Sequence, residues 1–275
     1  MHHNNVQDHH TTITKANVEI AHPAPFQINA LRNLWKDTFG DSDDFLDLFF
    51  ETAFSSGRCM CATLNGSVVA ALYWFNCKFD KKPIAYIYAV ATDKNHRGKG
   101  ICNALMSETH KHLKENGYIG AILSPASDHL FKFYGKMGYQ TCAYHNELTY
   151  QEDTLYSLEE KDISLQRISK EEFSMLRRQF LPKDAVLQEN ENLDFLEKQA
   201  EFFAGENFLL TAHKEGSHLH GIEFLGDTSM IPNILQSLHC TSGVFHTNGN
   251  ETPLAMYLPF HDADSIPSYI GFIFD

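Results

Sequence analysis

The stretch that decides the fold is AVATDKNHRGKGICNALM, residues 89–106. The end of an apolar run passes into a polar loop holding Arg97, Gly98, Lys99 and Gly100, and a helix pattern starts at once. Glycines let a backbone approach a ligand closely. The first turn of a helix has unpaired N–H groups and a partial positive charge. With two cations beside it, the loop reads as a seat for a phosphate or pyrophosphate. Other phosphate motifs fit poorly. GxxxxGK[ST] is absent, and Asn103 stands where a dinucleotide GxGxxG needs its third glycine. A strand-to-helix turn with surface cations would look the same in isolation, so the flanks decide.

Before the loop, residues 84–91 (IAYIYAVA) read as a strand. After it, Ile101, Ala104, Leu105 and Leu113 give a helix over 100–116 one apolar face, and Gly117 stops it. Residues 118–123 (YIGAIL) read as a buried strand. Strand, helix and strand in this order fit a right-handed parallel crossover. Further upstream, Ile28, Leu31, Leu34, Trp35 and Phe39 predict a helix over 28–39 that Gly40 ends. Ser42 caps a second helix, which Gly57 closes. Asn65-Gly66 between 59–64 and 67–76 signals a hairpin. Downstream, Ser127 or Asp128 caps a short helix ended by Gly138, and 139–148 read as a strand. The result is a mixed α/β sheet over residues 18–150.

Outside that unit, residues 1–17 read as a flexible arm and the polar stretch 151–165 as a linker. A second unit, 166–275, has helix patterns at 169–180, 192–204 and 228–239. It has a hairpin over 207–225 about Glu215-Gly216 and strands at 253–258 and 268–274. The segments TLNGSVVAALYWF (63–75) and AHKEGSHLHGIEFL (212–225) share a strand-turn-strand form with a turn Gly-Ser, and two helices precede each. That suggests a degenerate internal repeat.

Composition excludes several classes. The 275 residues are 43% hydrophobic and 21% charged, which is a globular balance. With 22 Lys and Arg against 35 Asp and Glu, the formal charge of −13 argues against a nucleic-acid partner. It favours a cationic one. No run approaches 18 apolar residues, so no transmembrane helix is expected, and Met1 to Asn17 lacks a signal-peptide core. The six cysteines form no CxxC pair. Neither a zinc site nor a disulfide framework is expected, and a reducing, cytoplasmic compartment follows. Sixteen histidines raise the question of metal. His218 and His220 share a strand face, but no third ligand is placed, so no metal site is expected.

The loop and its flanks resemble the GNAT superfamily of N-acetyltransferases. The family signature [RQ]xxGx[GA] aligns with Arg97-Gly98-Lys99-Gly100-Ile101-Cys102, Cys102 departing from the usual Gly or Ala. A second hallmark, Tyr-x-x-x-Gly-aromatic, matches Tyr134-Gly135-Lys136-Met137-Gly138-Tyr139. The resemblance implies a GNAT fold over 18–150, with a degenerate GNAT-like copy after it. It implies direct acetyl transfer from acetyl-CoA to a primary amine of a small cationic molecule or a peptide. The pantetheine arm would enter between the strands at 84–91 and 118–123 and pair with Val90, Ala91 and Thr92. The N–H near Val90 would polarise the thioester carbonyl. The pyrophosphate would sit on the amides of Arg97, Gly98, Lys99, Gly100, Ile101 and Cys102. Tyr134 would be the general acid for the leaving thiolate. A partial resemblance to Eis-type acetyltransferases, minus their third domain, implies that the C-terminal Asp275 reaches the acetyl site. The alternative is a non-catalytic acyl-CoA-binding regulatory module; a transferase of longer acyl chains is a third reading. Oligomeric state and acceptor identity are left open by the sequence.

Overall fold

The computed structural model describes residues 18–151, 163–262 and 265–274. The arm at 1–17, most of the linker and Asp275 lie outside the described residues.

Local signals set the first unit. Helix α1 (Ile28–Phe39) ends at Gly40 in the left-handed conformation, φ 82°. The Ser42 side chain accepts from the Phe45 N–H and starts α2 (Asp43–Thr52). This helix stops five residues short of Gly57, which instead lies in a 3-10 turn at Ser56–Arg58. Strands β2 (Cys59–Leu64) and β3 (Ser67–Phe79) form the hairpin about Asn65-Gly66, with β1 (Val18–Ala21) outside β2. Strand β4 (Lys82–Thr92), helix α3 (Ile101–Glu115) and strand β5 (Gly120–Leu123) make the expected parallel crossover. Helix α4 (Asp128–Gly135) and β6 (Gln140–Tyr150) follow.

In the second half, β7 (Gln166–Ile168) leads to α5 (Lys170–Phe180), whose Ser169 and Glu172 form a capping box. Strand β8 (Leu187–Gln188) pairs with β3. Two expectations fail here. The pattern at 192–204 divides into α6 (Glu191–Leu196) and a strand, β9 (Glu201–Ala204), because Phe202 and Phe203 each bury against a different face of the sheet. Residues 268–274 form no named strand. They make one isolated bridge, Ala185 to Tyr269, and are otherwise held by side chains. The hairpin stands as β10 (Phe208–Glu215) and β11 (His218–Gly226), then α7 (Ile231–Ser237), β12 (Ser242–Asn248) and β13 (Thr252–Pro259).

The thirteen strands among the described residues join one sheet, in the order β1-β2-β3-β4-β5-β13-β6-β12-β11-β10-β9-β7, with β8 off the path. Both ends of this order share one plan. Each half has an outer strand, an antiparallel hairpin, and a strand-helix-strand crossover whose strands pair in parallel, β4 with β5 and β11 with β12. The closing strands are exchanged. Strand β6 follows β5 in the chain but pairs with β12, while β13 follows β12 and pairs with β5. The two halves therefore complete each other's sheets, and β6 and β13 meet at the centre.

Helices α1, α2 and α6 and the strap at 268–274 cover one face of the sheet, over a core that includes Trp35, Phe49, Phe75, Tyr86, Phe195 and Phe274. Helices α3 and α4 cover the other face of the first half, over Ile87, Leu105, Met106, Tyr134 and Tyr139. On α3, His110 Nε2 lies 2.8 Å from the Tyr139 hydroxyl, and burial pulls its pKa down to about 4. A histidine free in the unfolded chain titrates near 6.5, so protonation favours unfolding. Stability from this packing is complete above about pH 6.5 and falls as pH drops towards 4. Denaturant midpoints measured across that window should fall less steeply for His110→Phe than for the parent protein.

Candidate active site

Strand β4 is irregular where the chemistry was expected. Ala71 pairs with Ala91 and Tyr73 with Tyr88, so Ala89 and Val90 stand opposite the single residue Leu72. This is a β-bulge, and Ala89 takes φ 47°, uncommon for a residue with a side chain. On its other edge β4 pairs with β5 only at Ala85–Ala121 and Tyr86–Ile122. From Ile87 onward the two parallel strands separate. The bulge and the separation together leave backbone of β4 facing an open wedge rather than a neighbouring strand.

The loop beyond the wedge is built as an anion cradle. Gly98 and Gly100 have φ of 73° and 78°, and Gly100 is the N-cap of α3. The first helical bond runs from Ala104 N–H to the Gly100 carbonyl, so the amides of Ile101, Cys102 and Asn103 have no partner within the helix. The Arg97 Nε–H donates to the Thr92 carbonyl at 3.0 Å, which folds the guanidinium back against the loop. A Cβ at Gly98 would meet nothing within 4 Å. Conformation rather than space demands glycine there. Gly98→Ala should cost about 1–2 kcal/mol of backbone strain, paid where the loop must hold its shape. We expect roughly tenfold weaker coenzyme A binding by calorimetry, with little change in melting temperature.

Two connected cavities flank this framework. One, of about 710 Å³, is lined by Thr92, Arg97, Gly98, Gly100, Ile101 and Cys102 with parts of α4. The other, of about 560 Å³, lies at the wedge and includes Trp35, Tyr88, Ala89, Ser124 and Phe274. Phe39, Val90, Leu130 and Tyr134 border both. Tyr134 thus stands at their junction. Its hydroxyl makes no hydrogen bond among the described residues. Burial, and then the nearby Cys102, push its pKa well above the ordinary phenol value. It is a proton-bearing group at neutral pH. Burial also pushes the Cys102 thiol up to about 11, so it stays neutral against the loop.

The other predicted residues divide. Val90 and Thr92 border the cavities, whereas the Ala91 side chain is buried in the core and offers only its backbone. Lys99 is exposed and lines an adjoining groove with Val18, Ile20 and Glu108 rather than the loop cavity. Asp275 lies outside the described residues, but Phe274 before it borders the wedge, and its N–H donates to the Tyr86 hydroxyl at 3.3 Å. Sequence reasoning missed Trp35, Asp41, Tyr88 and Phe274. The alternation of Tyr86 and Tyr88 on β4 was the one signal that could have pointed to them.

Among the described residues the second half shows no such separation of its parallel strands. There β11 and β12 pair as far as Phe224–Thr247, resuming after a register shift between Gly221 and Phe224. Its counterpart of the anion loop is the turn at Asp227–Met230, which holds no cation. Histidines gather on this half. The His213 and His220 rings stack at 4.6 Å, and those of His218 and His220 lie 4.4 Å apart. Among the described residues no group of three or more His, Cys, Asp and Glu side chains is arranged to hold a metal ion. No helix among them is long and apolar enough to cross a membrane.

Residues 19–142 match the family model described as an acetyltransferase (GNAT) domain. No curated protein matches the chain. Among solved structures, the chain is similar to a GCN5-related N-acetyltransferase from Kribbella flavida, with TM-score 0.70 and 13% identity over 88% of this chain and 70% of that one. A GCN5-related N-acetyltransferase from Anabaena variabilis gives 0.70 and 13%, over 87% and 72%. Eis1 from Mycobacterium abscessus gives 0.62 and 11%, over 83% and 65%. At these identities the likeness is one of fold, and it extends through both halves of the sheet.

Proposed function

We propose, from the match of residues 19–142 to the GNAT acetyltransferase family model, that the chain is an acetyl-CoA-dependent N-acetyltransferase acting on a primary amine. The observation that carries this reading is the open wedge of β4 joined to the cradle at 97–102, with Tyr134 where the two cavities meet. The pyrophosphate would rest on the free amides at the start of α3. The pantetheine arm would run along β4 as a missing strand, on backbone of Val90, Ala91 and Thr92. The Val90 N–H, at the bulge, would face the thioester oxygen.

In the transfer, an amine nitrogen attacks the thioester carbon, a C–N bond forms and the C–S bond breaks. The departing thiolate takes its proton from the Tyr134 hydroxyl, and the second proton that the attacking nitrogen sheds on becoming an amide returns to the Tyr134 oxygen. Before attack the ammonium must lose a proton. Phe274 ends the described strap at the wedge, so the Asp275 carboxyl is our choice for the group that receives it. The acceptor is a small cationic molecule or a peptide amine, in keeping with the formal charge of −13. All six cysteines are free thiols, which supports a cytoplasmic setting.

The test is release of free thiol from acetyl-CoA across a panel of polyamines, aminoglycosides, amino acids, arylalkylamines and peptides. Release with one amine class carries the reading. Tight binding of acetyl-CoA with no release for any amine would replace it with that of an acyl-CoA-binding module. Failure to bind acetyl-CoA would overturn the assignment of the loop itself.

A further inference from the structure

The wedge cavity has a lining with a specific chemistry. Gly40, in its left-handed turn, swings the chain back after α1, so that Asp41 accepts from the Trp35 indole N–H at 2.7 Å. That bond orients the Trp35 ring and leaves the second carboxylate oxygen for another donor. Tyr88 stands 5.5 Å from Trp35, centroid to centroid, and Phe274 stands 6.0 Å from Tyr88. Phe39, 46% exposed, forms the rim. Among the described residues lining this cavity, Asp41 is the only charged side chain. Ring faces attract cations, and a carboxylate beside them fixes where the cation sits. Nothing described in the lining offers a cation to an anionic group.

We infer that this chamber selects the acceptor: a monoamine with an apolar, ring-sized body and no carboxylate, its ammonium held between Asp41 and the rings of Trp35, Tyr88 and Phe274. The inference rests on the acetyltransferase reading for its placement of the thioester, and it names the substrate class of that same site. A free amino acid brings a carboxylate that faces Asp41 with no countercharge. A diamine brings a second ammonium with no second seat among the described residues of the lining.

Calorimetry in the presence of coenzyme A, which has no acetyl group to give, separates binding from transfer. The probes are 2-phenylethylamine, L-phenylalanine, which differs from it by one carboxylate, and putrescine. Phenylethylamine should bind at least tenfold tighter than either of the others. Asp41→Asn keeps an acceptor for the Trp35 indole while removing the charge. It should weaken phenylethylamine at least tenfold with the coenzyme A affinity and melting temperature unchanged. Equal or tighter binding of phenylalanine or putrescine overturns the inference, as does an unaltered affinity in Asp41→Asn or no binding of any probe. Selective binding without thiol release from acetyl-CoA would leave the inference standing and overturn the transferase reading.

Discussion

Replacing Tyr134 by phenylalanine is expected to lower kcat for acetyl transfer by about 10²- to 10⁴-fold, the usual contribution of a placed general acid. The ring fills the junction of the two cavities, and its hydroxyl holds no other part of the protein among the described residues. The variant should therefore fold and should bind acetyl-CoA as the parent does. The pH profile gives an independent check. An acid must carry its proton to act, and burial raises the Tyr134 pKa. Activity should persist further into the alkaline range than an ordinary phenol, near 10, would permit. In Tyr134→Phe the residual rate should lose that alkaline limb. A variant with unchanged kcat would show that the thiolate leaves unprotonated or takes its proton from water, and the role of Tyr134 would reduce to packing.

How legible this site was depends on how local each part is. The cradle at 97–102 was readable because glycine conformation, cations and a helix start act within a few residues. The cap at Ser42 and the turn at Asn65-Gly66 were readable for the same reason. The bulge at Ala89 was not. Alanine between valine and tyrosine reads as plain strand, and only the pairing of β4 with β3 shows the extra residue. The exchange of β6 and β13 was also invisible. Both strands have apolar residues for a sheet interior, and nothing in either names its neighbour. Strand β12 was missed because Ser242, Gly243 and His246 dilute its alternation, although Phe245 is fully buried. Trp35 and Phe274 come from opposite halves of the chain, so their meeting at the wedge depends on how the two halves share one sheet.

The strap that brings Phe274 to the wedge is anchored by one buried polar network within the second half, and breaking it should give the largest loss of stability. Arg177 and Glu223 are each 1% exposed and form a two-point ion pair, with Nε to Oε2 at 2.7 Å and Nη2 to Oε1 at 2.8 Å. Tyr269 donates its hydroxyl to the same carboxylate at 2.9 Å, and the Arg177 guanidinium lies 4.7 Å over the Phe272 ring. Gln188 donates to the Phe272 carbonyl at 2.6 Å and accepts from the Gly271 and Phe272 amides. These contacts, more than sheet pairing, hold the strap at 268–274. Gly271 is required by close approach, because a Cβ there would run into the Glu223 carboxylate and the Arg177 guanidinium. Arg177→Met leaves the Glu223 charge buried without its partner, which costs about 3–5 kcal/mol. For a chain of this size that is a fall of roughly 6–20 °C in melting temperature. The double variant Arg177→Met with Glu223→Leu removes both charges and should recover a large part of the loss. The strap also carries Phe274 to the wedge, where it packs 4.8 Å from Phe75 and 4.9 Å from Phe195. Below its melting point, Arg177→Met should therefore lose affinity for the acceptor amine while keeping its affinity for coenzyme A, since the cradle at 97–102 lies beyond the strap's reach. Equal loss of both affinities would mean that the network supports the fold as a whole and does not position the acceptor wall.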